Sequence, residues 1–354
     1  MIIRDVTFKA FENETRDRKL ICIGCGKLLE YLFEFWDTSI TKRVELVADN
    51  YKNGTTIDYQ GTVYKVLKVD KISAYCTAFH SIIVTTMYCE DIVKQLNDLC
   101  LSNDIKVYLY PVMSRRVDEY KMPTASGNKI PKKIHWMWVG GGQIPEKNKR
   151  CIESWYKFCP DYEIKCWTEK EYDVARCKYM MQAYEKKKWG FVPDYARLDI
   201  IYNEGGIYLD TDVEMTKSFD DLLGFEGFMG FQRNYFVNLG LGFGAAKGNL
   251  LIRNMMEAYE FRDFIVDGKM DMTASPELQT RTLRSLGLKC TNELQNISGC
   301  MIFPTDVFDP KGSPIWNTVL TPHSHSIHHY DESWSSEEQK YNQNKKYRQV
   351  EAFL

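Results

Sequence analysis

The sequence has no long apolar segment. None of its runs approaches the roughly 18 apolar residues that a membrane-spanning helix needs. The start of the chain, Met1-Ile2-Ile3-Arg4-Asp5-Val6, also lacks the apolar core of a secretory signal peptide. We therefore expect a cytoplasmic protein, with peripheral contact at the inner face of the membrane left open.

The chain has almost no net charge. Its 46 basic and 48 acidic residues are well mixed along the sequence and give a net charge of −2. Proteins that follow the phosphates of DNA or RNA usually present a cationic surface, which this composition does not supply. The sequence therefore predicts no nucleic-acid partner.

No even set of cysteines is available for a disulfide framework, because the chain has 11. Without a secretory signal, an odd number of cysteines is typical of reduced and mostly buried thiols. The closely spaced Cys22 and Cys25 leave a redox or zinc site as an alternative for that pair.

What the sequence does contain is a regular alternation of apolar segments in residues 1–115. Strands are predicted at 19–24, 44–49, 62–66, 81–86 and 105–110, and helices at 27–36 and 90–100. Strands that alternate with helices indicate a parallel sheet covered on both faces. We therefore expect an N-terminal Rossmann-like α/β domain.

A polar stretch with little apolar periodicity fills residues 116–129, and we interpret it as a linker. The second domain, residues 130–354, is predicted to have strands at 133–139 and 164–167 and helices at 145–158, 179–188 and 193–205. Residues 335–348 are polar enough to predict a mobile tail.

Two glycines and two aspartates form the most informative pattern, Gly205-Gly206-Ile207-Tyr208-Leu209-Asp210-Thr211-Asp212. The glycines are expected to end the preceding helix. Side chains two residues apart in extended backbone point to the same side, so Asp210 and Asp212 can converge on one ion. Magnesium and manganese typically take such carboxylates together with substrate phosphates. The pattern therefore predicts a divalent-metal site, and a solvated turn is the alternative.

A second glycine pattern follows the first strand of the N-terminal domain. Gly24 and Gly26 permit a tight turn at a helix N-terminus, where backbone N–H groups can bind an anion. Asp49, after the next strand, could accept hydrogen bonds from ribose hydroxyls. Leu29 stands where a full dinucleotide fingerprint has its third glycine. The pattern predicts a nucleotide or nucleotide-sugar site without favouring NAD.

Five ordered segments of the second domain together resemble a known enzyme family. They are Ile130-Pro-Lys-Lys-Ile-His-Trp-Met-Trp-Val-Gly-Gly141, Ser154-Trp155 with Cys159-Pro-Asp-Tyr162, Pro193-Asp-Tyr-Ala-Arg-Leu-Asp-Ile-Ile-Tyr202, the 205–212 pattern, and Ile327-His-His-Tyr-Asp-Glu-Ser-Trp334. The region resembles the glycosyltransferases related to the yeast initiating α-1,6-mannosyltransferase and to bacterial capsular polysaccharide enzymes. More distantly, it resembles the glucosyltransferase domain of clostridial cytotoxins. The resemblance implies a GT-A fold, a nucleotide-sugar donor, manganese or else magnesium, and retention of configuration at the anomeric carbon.

The resemblance also implies roles for single residues. Donor contacts are implied for Trp138, Asp194, Arg197, Tyr208, Asp210, Ser333 and Trp334, and catalytic roles for Asp194, Arg197, Asp210 and Asn238. Asp212 is the implied direct metal ligand, whereas Asp210 holds the sugar or a metal-bound water. Without the family, Trp138 reads equally well as a core residue, and Asp194 with Arg197 as a surface ion pair of one helix.

Four of the six histidines lie close together as His323, His325, His328 and His329. Their spacing alone suggests a zinc site. The family segment instead implies that His328 or His329 contacts the catalytic metal or the diphosphate. The sequence does not decide which of the two faces the ion.

These observations predict a metal-dependent retaining glycosyltransferase. We expect it to move a sugar from a nucleotide-sugar donor, with UDP-sugars favoured and GDP-mannose as an alternative. The expected acceptor is a glycan or a lipid-linked molecule in surface polysaccharide synthesis. Two other functions stay open: a non-catalytic nucleotide-sugar sensor, and an oxidoreductase with a nucleotide cofactor in the N-terminal domain.

Overall fold

The computed structural model describes residues 1–59, 61–333 and 335–354. The strands are β1 (Ile2–Arg4), β2 (Lys19–Ile23), β3 (Val44–Ala48), β4 (Thr56–Tyr59), β5 (Thr62–Leu67), β6 (His80–Val84), β7 (Lys106–Leu109), β8 (Lys133–Met137), β9 (Glu163–Trp167), β10 (Gly206–Tyr208), β11 (Val213–Met215), β12 (Gly227–Gly230), β13 (Phe243–Ala245), β14 (Ile265–Val266), β15 (Lys269–Met270), β16 (Gln295–Ile297), β17 (Cys300–Phe303) and β18 (Ser326–His328).

The helices alternate with these strands along the chain. They are α1 (Phe8–Thr15), α2 (Lys27–Phe35), α3 (Thr38–Thr41), α4 (Cys89–Asp98), α5 (Tyr110–Met113), α6 (Glu146–Phe158), α7 (Lys178–Glu185), α8 (Pro193–Glu204), α9 (Leu250–Glu260), α10 (Ser275–Ser285), α11 (Thr305–Phe308) and α12 (Glu337–Glu351). No helix in the described part of the chain has the length and apolar character that a membrane crossing requires.

The first sheet contains β1 to β7 in the order β1-β7-β6-β2-β3-β5-β4. Neighbouring strands are parallel except for β4, which pairs antiparallel with β5. Alternate residues of β2 face opposite sides of the sheet. Leu20 and Cys22 join the apolar cluster with α1 and α2, whereas Ile21 and Ile23 join the cluster with α4 and α12. The expected Rossmann-like parallel sheet, covered on both faces, is confirmed.

The prediction of a mobile tail at 335–348 is wrong, because this segment lies almost entirely in helix α12. Its N-terminus is closed by a capping box between Ser336 and Gln339. Within the helix only Tyr347 and Val350 are buried, so the apolar period that would reveal a helix is missing. Both side chains pack against the first sheet, and the Trp316 indole donates to the Tyr347 carbonyl at 3.0 Å.

The second sheet has the order β16-β17-β12-β13-β10-β8-β9. Strand β8 runs parallel to β9 and β10, whereas β13 runs antiparallel to β10 and β12. Trp138 follows β8 directly, and Asp210 lies just after β10. Since the carboxyl ends of parallel strands share one edge of a sheet, both residues stand at the place where α/β proteins usually bind ligands. The expected α/β class of the second domain is confirmed.

An apolar cluster continues across the boundary between the two predicted domains. A loop at 231–237 inserts Tyr235 among Phe8, Trp36 and Tyr110, at ring-centroid distances of 5.8, 6.1 and 5.4 Å. Residues 116–129 form neither helix nor strand. The exact domain limits stay a prediction, but the first sheet's helices clearly pack against a loop of the second region.

Candidate functional site

A glycine turn delivers the two aspartates of the 205–212 pattern. Helix α8 ends at Gly205, whose φ is +68°, and Gly206 follows with a φ of +104°. A Cβ on Gly205 would lie 2.9 Å from the Lys247 backbone nitrogen, and one on Gly206 would lie 2.8 Å from the Lys133 carbonyl oxygen. Both backbone angle and space therefore require glycine here.

Asp210, Asp212 and His328 form a compact cluster beyond this turn. One ligand atom of each lies within 4.8 Å of the others, and no other such group of three occurs in the described residues. His328 arrives through β18, which pairs antiparallel with β11 so that His328 stands opposite Val213. Its Nε2 lies 3.3 Å from Asp212 Oδ1.

The cluster fits a divalent metal ion. His328 is buried, and its Nδ1 has no hydrogen-bond partner among the described residues. A buried polar atom without a partner calls for an explanation, and an ion or a water molecule held at the cluster would supply one. Two carboxylates and one imidazole suit manganese better than magnesium, because magnesium strongly prefers oxygen ligands.

Charged neighbours within the cluster lower the pKa of Asp212 and raise the pKa of His328. Burial alone would raise the pKa of Asp212, but the charge and hydrogen bond of His328 and the backbone N–H of Asp331 lower it. Burial alone would lower the pKa of His328, but Asp212 and Asp210 raise it. Burial also raises the pKa of Asp210, which Arg197 opposes and Asp212 reinforces.

The first turn of α8 places Asp194 and Arg197 beside the cluster. Arg197 Nη2 lies 3.1 Å from Asp194 Oδ1 and 3.4 Å from Asp210 Oδ1, and its Nε donates to the Pro193 carbonyl at 3.0 Å. Both side chains are almost fully buried, so the alternative of a surface ion pair is wrong. Burial raises the pKa of Asp194 to about 6, although Arg197 acts in the opposite direction.

A cleft of about 570 Å³ brings most of the predicted site residues together. They are Trp138, Asp194, Arg197, Tyr208, Asp210, Asp212, Asn238, His328 and Ser333. Trp334 lies outside the described residues. His329 does not line the cleft: its Nε2 lies 2.8 Å from Glu214 Oε2 instead.

The aromatic walls of the cleft come from both parallel strands. Trp138 is half-buried, and its Nε1 donates to the Gly142 carbonyl at 2.7 Å. Tyr208 is buried, with the Arg197 guanidinium carbon 5.5 Å from its ring centroid. An indole at the cleft can stack on a nucleobase, whereas the buried Tyr208 ring packs against the Arg197 guanidinium.

Asn238 connects the glycine-rich segment 238–244 to the cluster. Its Oδ1 accepts from the Gly240 backbone N–H at 2.7 Å, and its Nδ2 donates to Gln232 Oε1 at 3.0 Å. A Cβ on Gly240 would lie 2.5 Å from Asp210 Oδ2 and 3.3 Å from Arg197 Nη1. The close packing of Gly240 therefore fixes how Asp210 sits in the cleft.

The histidine-rich tract does not gather as a zinc site. His325 is buried against Asp221, with 2.8 Å between Nε2 and Oδ1, and His323 lies 3.3 Å from Asp306. Of the four, only His328 joins the cluster with two carboxylates.

The N-terminal glycine pattern is arranged differently. Gly24 has a φ of +102°, and a Cβ there would lie 2.9 Å from Thr86 Cβ. The two oxygens of Asp49 accept backbone N–H groups from Cys25, Tyr51 and Lys52 at 3.0, 2.8 and 3.0 Å. This carboxylate is used by its own loop, and the nucleotide site at Gly24, Gly26 and Asp49 stays a prediction.

The cysteines are free, and eight of the 11 are buried: Cys22, Cys25, Cys89, Cys151, Cys159, Cys177, Cys290 and Cys300. This confirms the prediction of unpaired, mostly buried thiols. Burial raises the pKa of Cys25 to about 11, which opposes the thiolate that redox or zinc chemistry needs.

Sequence reasoning assigned no role to several cleft residues. They include Asn148, Trp189, Gln232, Arg233 and Glu332. Glu332 lies inside the segment 327–334 that carried the resemblance, so a signal for it existed. Gln232 and Arg233 lie in an irregular loop whose place depends on the distant contacts of Tyr235, and no local pattern indicates them.

Comparison with known proteins confirms the family likeness for the part of the chain that holds Asp210 and Asp212. Residues 145–229 match the model of the family described as "Glycosyltransferase sugar-binding region containing DXD motif". This segment is glycosyltransferase-like. The match includes the Asp210-Thr211-Asp212 triplet and supports an enzyme of the glycosyltransferase class.

Two curated relatives share part of the chain. "Subversion of eukaryotic traffic protein A" of Legionella pneumophila is 30% identical over 146 residues, which are 33% of this chain and 22% of that protein. "Inositol phosphoceramide mannosyltransferase 3" of Schizosaccharomyces pombe is 35% identical over 98 residues, which are 27% of each chain. The chain thus spans about a quarter of the length of these relatives.

Among solved structures, the "PaToxG Glycosyltransferase" shares 23% sequence identity with a TM-score of 0.35. The match covers 44% of this chain and 69% of that chain.

Proposed function

We propose that the protein is a metal-dependent retaining glycosyltransferase that uses a nucleotide-sugar donor. The observation that carries the proposal is the cluster of Asp210, Asp212 and His328, which lies in a cleft beside the buried Arg197. The family match of residues 145–229 supports the reaction class, and the donor-lining residues support a nucleotide sugar.

The cleft residues have defined tasks in this proposal. Breaking the sugar–phosphate bond builds negative charge on the leaving diphosphate, and Arg197 is held in place to oppose that charge. Asp212 and His328 would hold a manganese ion, with Asp210 beside it; when bound, the ion supplies Lewis-acid stabilisation of the diphosphate. Trp138 would hold the base, and Asn238 the sugar.

The donor and acceptor are the finer part of the proposal. UDP-sugars are favoured, and a mannosyl donor is included because two relatives from Schizosaccharomyces pombe are named mannosyltransferases. We propose a glycan or lipid-linked acceptor in surface polysaccharide synthesis, in the cytoplasm or at the inner face of the membrane.

A donor screen tests the function without an acceptor. The full chain is incubated with UDP- and GDP-sugars and manganese, and slow donor hydrolysis is followed by mass spectrometry. We expect one donor to be hydrolysed and chelation by EDTA to stop the reaction. Binding of a donor without any hydrolysis would favour the sensor instead, and no binding of any donor would contradict both.

Two histidine variants provide a matched control for that screen. His328→Ala removes the buried cluster residue, whereas His329→Ala removes its neighbour, which pairs with Glu214. Loss of a group that supports a metal ligand typically costs about 10–100-fold in metal affinity or activity, and loss of a ligand should cost at least as much. We expect this loss for His328→Ala alone, and equal effects of both variants would contradict the metal assignment.

The oxidoreductase alternative has its own test. It needs NAD(P) bound at the N-terminal glycine turn, but Asp49 already accepts three backbone N–H groups. We expect no NAD(P) binding by calorimetry, and micromolar affinity that is lost in Gly24→Val would favour this alternative.

A further inference from the structure

One wall of the cleft carries polar side chains that the donor and metal assignments leave unused. It consists of Gln232 and Arg233 from the loop after β12, and of Tyr330 and Glu332 from the segment after β18. We call these four residues the polar wall. Their contacts show what kind of molecule the wall can bind.

Arg233 is fixed in place while still presenting donors. Its guanidinium carbon lies 4.6 Å from the ring centroid of Tyr330 and 4.9 Å from that of Tyr347. Its Nη1 donates to the Gly312 carbonyl at 2.6 Å, and its Nη2 lies 4.0 Å from Glu332 Oε1. A guanidinium has five N–H donors, and the Arg233 side chain is 16% exposed and lines the cleft. Donors of Arg233 therefore remain open to the cleft.

The neighbours of Arg233 add a second donor and an acceptor. Gln232 Oε1 accepts from Asn238, which leaves the amide nitrogen of Gln232 as a donor. Glu332 is nearly buried, and its Oε1 accepts from the Tyr347 hydroxyl at 3.4 Å. Glu332 lines the cleft, and its other carboxylate oxygen is a further acceptor. The wall thus mixes donors with an acceptor, and the charges of Arg233 and Glu332 cancel.

Two chains of contacts place the polar wall next to the metal cluster. Gln232 accepts a hydrogen bond from Asn238, and Asn238 accepts one from the Gly240 backbone N–H. Gly240 in turn packs directly on Asp210. On the other side, the ring of Tyr330 lies 4.3 Å from the ring of His328. A group on this wall is therefore close to the cluster of Asp210, Asp212 and His328, where the proposed function puts the donor's diphosphate.

The first domain holds the loop that carries this wall. Asn234 and Tyr235 have φ values of +62° and +63°, a backbone strain that persists only where surrounding contacts impose it. Tyr235 is buried among the rings of Phe8, Trp36 and Tyr110, and the Asn234 N–H donates to Ser114 Oγ at 3.1 Å. The wall is thus a preformed surface and not a free loop.

We propose that the polar wall is the acceptor subsite and that it binds an uncharged polyhydroxylated ring, a sugar or a cyclitol. The inference rests on the proposed transferase function. Hydroxyl groups both donate and accept hydrogen bonds, so they can use Gln232, Arg233 and Glu332 together. An anionic group would also approach the carboxylates of Glu332 and Asp331, which line the same cleft.

The transfer step then balances without a further reactant. The hydroxyl oxygen of the acceptor bonds to the anomeric carbon while the bond from that carbon to the diphosphate oxygen breaks. The hydroxyl proton leaves on the departing phosphate.

The test separates acceptor binding from donor chemistry. Methyl α-D-mannopyranoside, methyl α-D-glucopyranoside, myo-inositol and glycerol 3-phosphate serve as probes with the donor found in the hydrolysis screen. Transfer and hydrolysis are measured in the same reaction for the wild type, Arg233→Lys and Glu332→Gln. Arg253→Gln, which changes an arginine paired with Glu257 and Glu260 outside the cleft, is the matched control.

We expect a neutral probe to be glycosylated by the wild type. Losing a hydrogen bond to a charged group costs about 1.5–3 kcal/mol, which corresponds to a rise in the probe's KM of about tenfold or more in Arg233→Lys and Glu332→Gln. The donor KM should rise much less, and Arg253→Gln should match the wild type in both. Thermal unfolding of each variant identifies any that fails to fold, and the other variant then decides.

Three results would overturn the acceptor subsite. One is an equal loss of hydrolysis and transfer in both variants. Another is preferential use of glycerol 3-phosphate, which would assign the wall to anions. The third is that saturation-transfer NMR detects no neutral probe on the wild type with donor present. Absence of donor hydrolysis in the wild type would instead reject the transferase function itself.

Discussion

Two aspartate sites in this protein arise from similar sequence but differ in what their oxygens contact. Asp49 and Asp210 both follow a short apolar strand, and glycines shape the turns beside them. Asp49 accepts three backbone N–H groups of its own neighbourhood, whereas Asp210 and Asp212 meet Arg197 and His328 from distant segments. A carboxylate that its own loop already satisfies has little capacity left for a ligand, so the comparison favours Asp210 and Asp212 over Asp49 as the candidate ligand-binding pair.

The largest effect should come from Asp212→Asn, which removes one carboxylate from the cluster of Asp210, Asp212 and His328. Loss of a direct ligand removes the metal's stabilisation of the leaving diphosphate, so we expect donor hydrolysis to fall about 100-fold or more. Glu214→Gln is the control, since Glu214 lies on the same segment and pairs with the outward His329. Unchanged hydrolysis by Asp212→Asn with manganese present would end the metal assignment.

Glu14 of the first domain, whose carboxylate is hydrogen-bonded within the protein, should make the unfolding free energy depend on pH. Hydrogen bonds from Arg4 outweigh burial and lower the pKa of Glu14 from 4.5 to about 2, and Tyr108 and Lys106 add to this. Since the folded pKa lies below the unfolded one, its stabilisation is complete above pH 4.5 and is lost as the pH falls towards 2.

Glu14→Gln checks this pH dependence. Across that window we expect the wild type to lose about 2 kcal/mol more unfolding free energy than the variant, because other carboxylates lose stabilisation equally in both proteins. Urea unfolding at a series of pH values measures the difference. Parallel curves for both proteins would show that Glu14 does not carry the effect.

Gly240→Ala should change the position of Asp210 through packing alone. The added Cβ would lie 2.5 Å from Asp210 Oδ2, so Asp210 or the backbone must shift. Because a misplaced catalytic group is costly, we expect about a tenfold fall in hydrolysis with little change in fold. Gly26→Ala is the matched control, because a Cβ there meets no atom within 4 Å. A fall in Gly26→Ala as well would point to a working nucleotide site in the first domain.

The smallest effect should come from Asp49→Asn. The amide oxygen keeps part of the loop's hydrogen bonding, so we expect a loss of about 1 kcal/mol in unfolding free energy. Donor hydrolysis should stay at the wild-type rate, whereas a loss of activity at full stability would remove the distinction between the two sites. Thermal unfolding and the hydrolysis assay measure both quantities.

Much of the site could be predicted because its signals are local. Pro193 and Gly205 mark the ends of α8, and the apolar run after Gly206 marks β10. The spacing of Asp194 and Arg197 placed them on one helix face, and the structure shows them in contact. Each of these features depends on residues a few positions apart.

The rest depends on contacts that sequence does not encode locally. The choice between His328 and His329 follows from the pairing of β18 with β11, which turns one ring to Asp212 and the other to Glu214. Helix α12 has too few apolar residues to show a period, and Arg233 reaches the cleft because Tyr235 docks on the first domain.

The insertion of Tyr235 has a consequence for synthesis on the ribosome. The rings of Phe8, Trp36 and Tyr110 are made long before Tyr235, and α12, which covers the opposite face of the first sheet, is made later still. Chains emerge from the N-terminal end, so a nascent first domain exposes both apolar surfaces to water until these segments arrive. The first domain should therefore need chaperone protection during translation, and residues 1–115 expressed alone should aggregate.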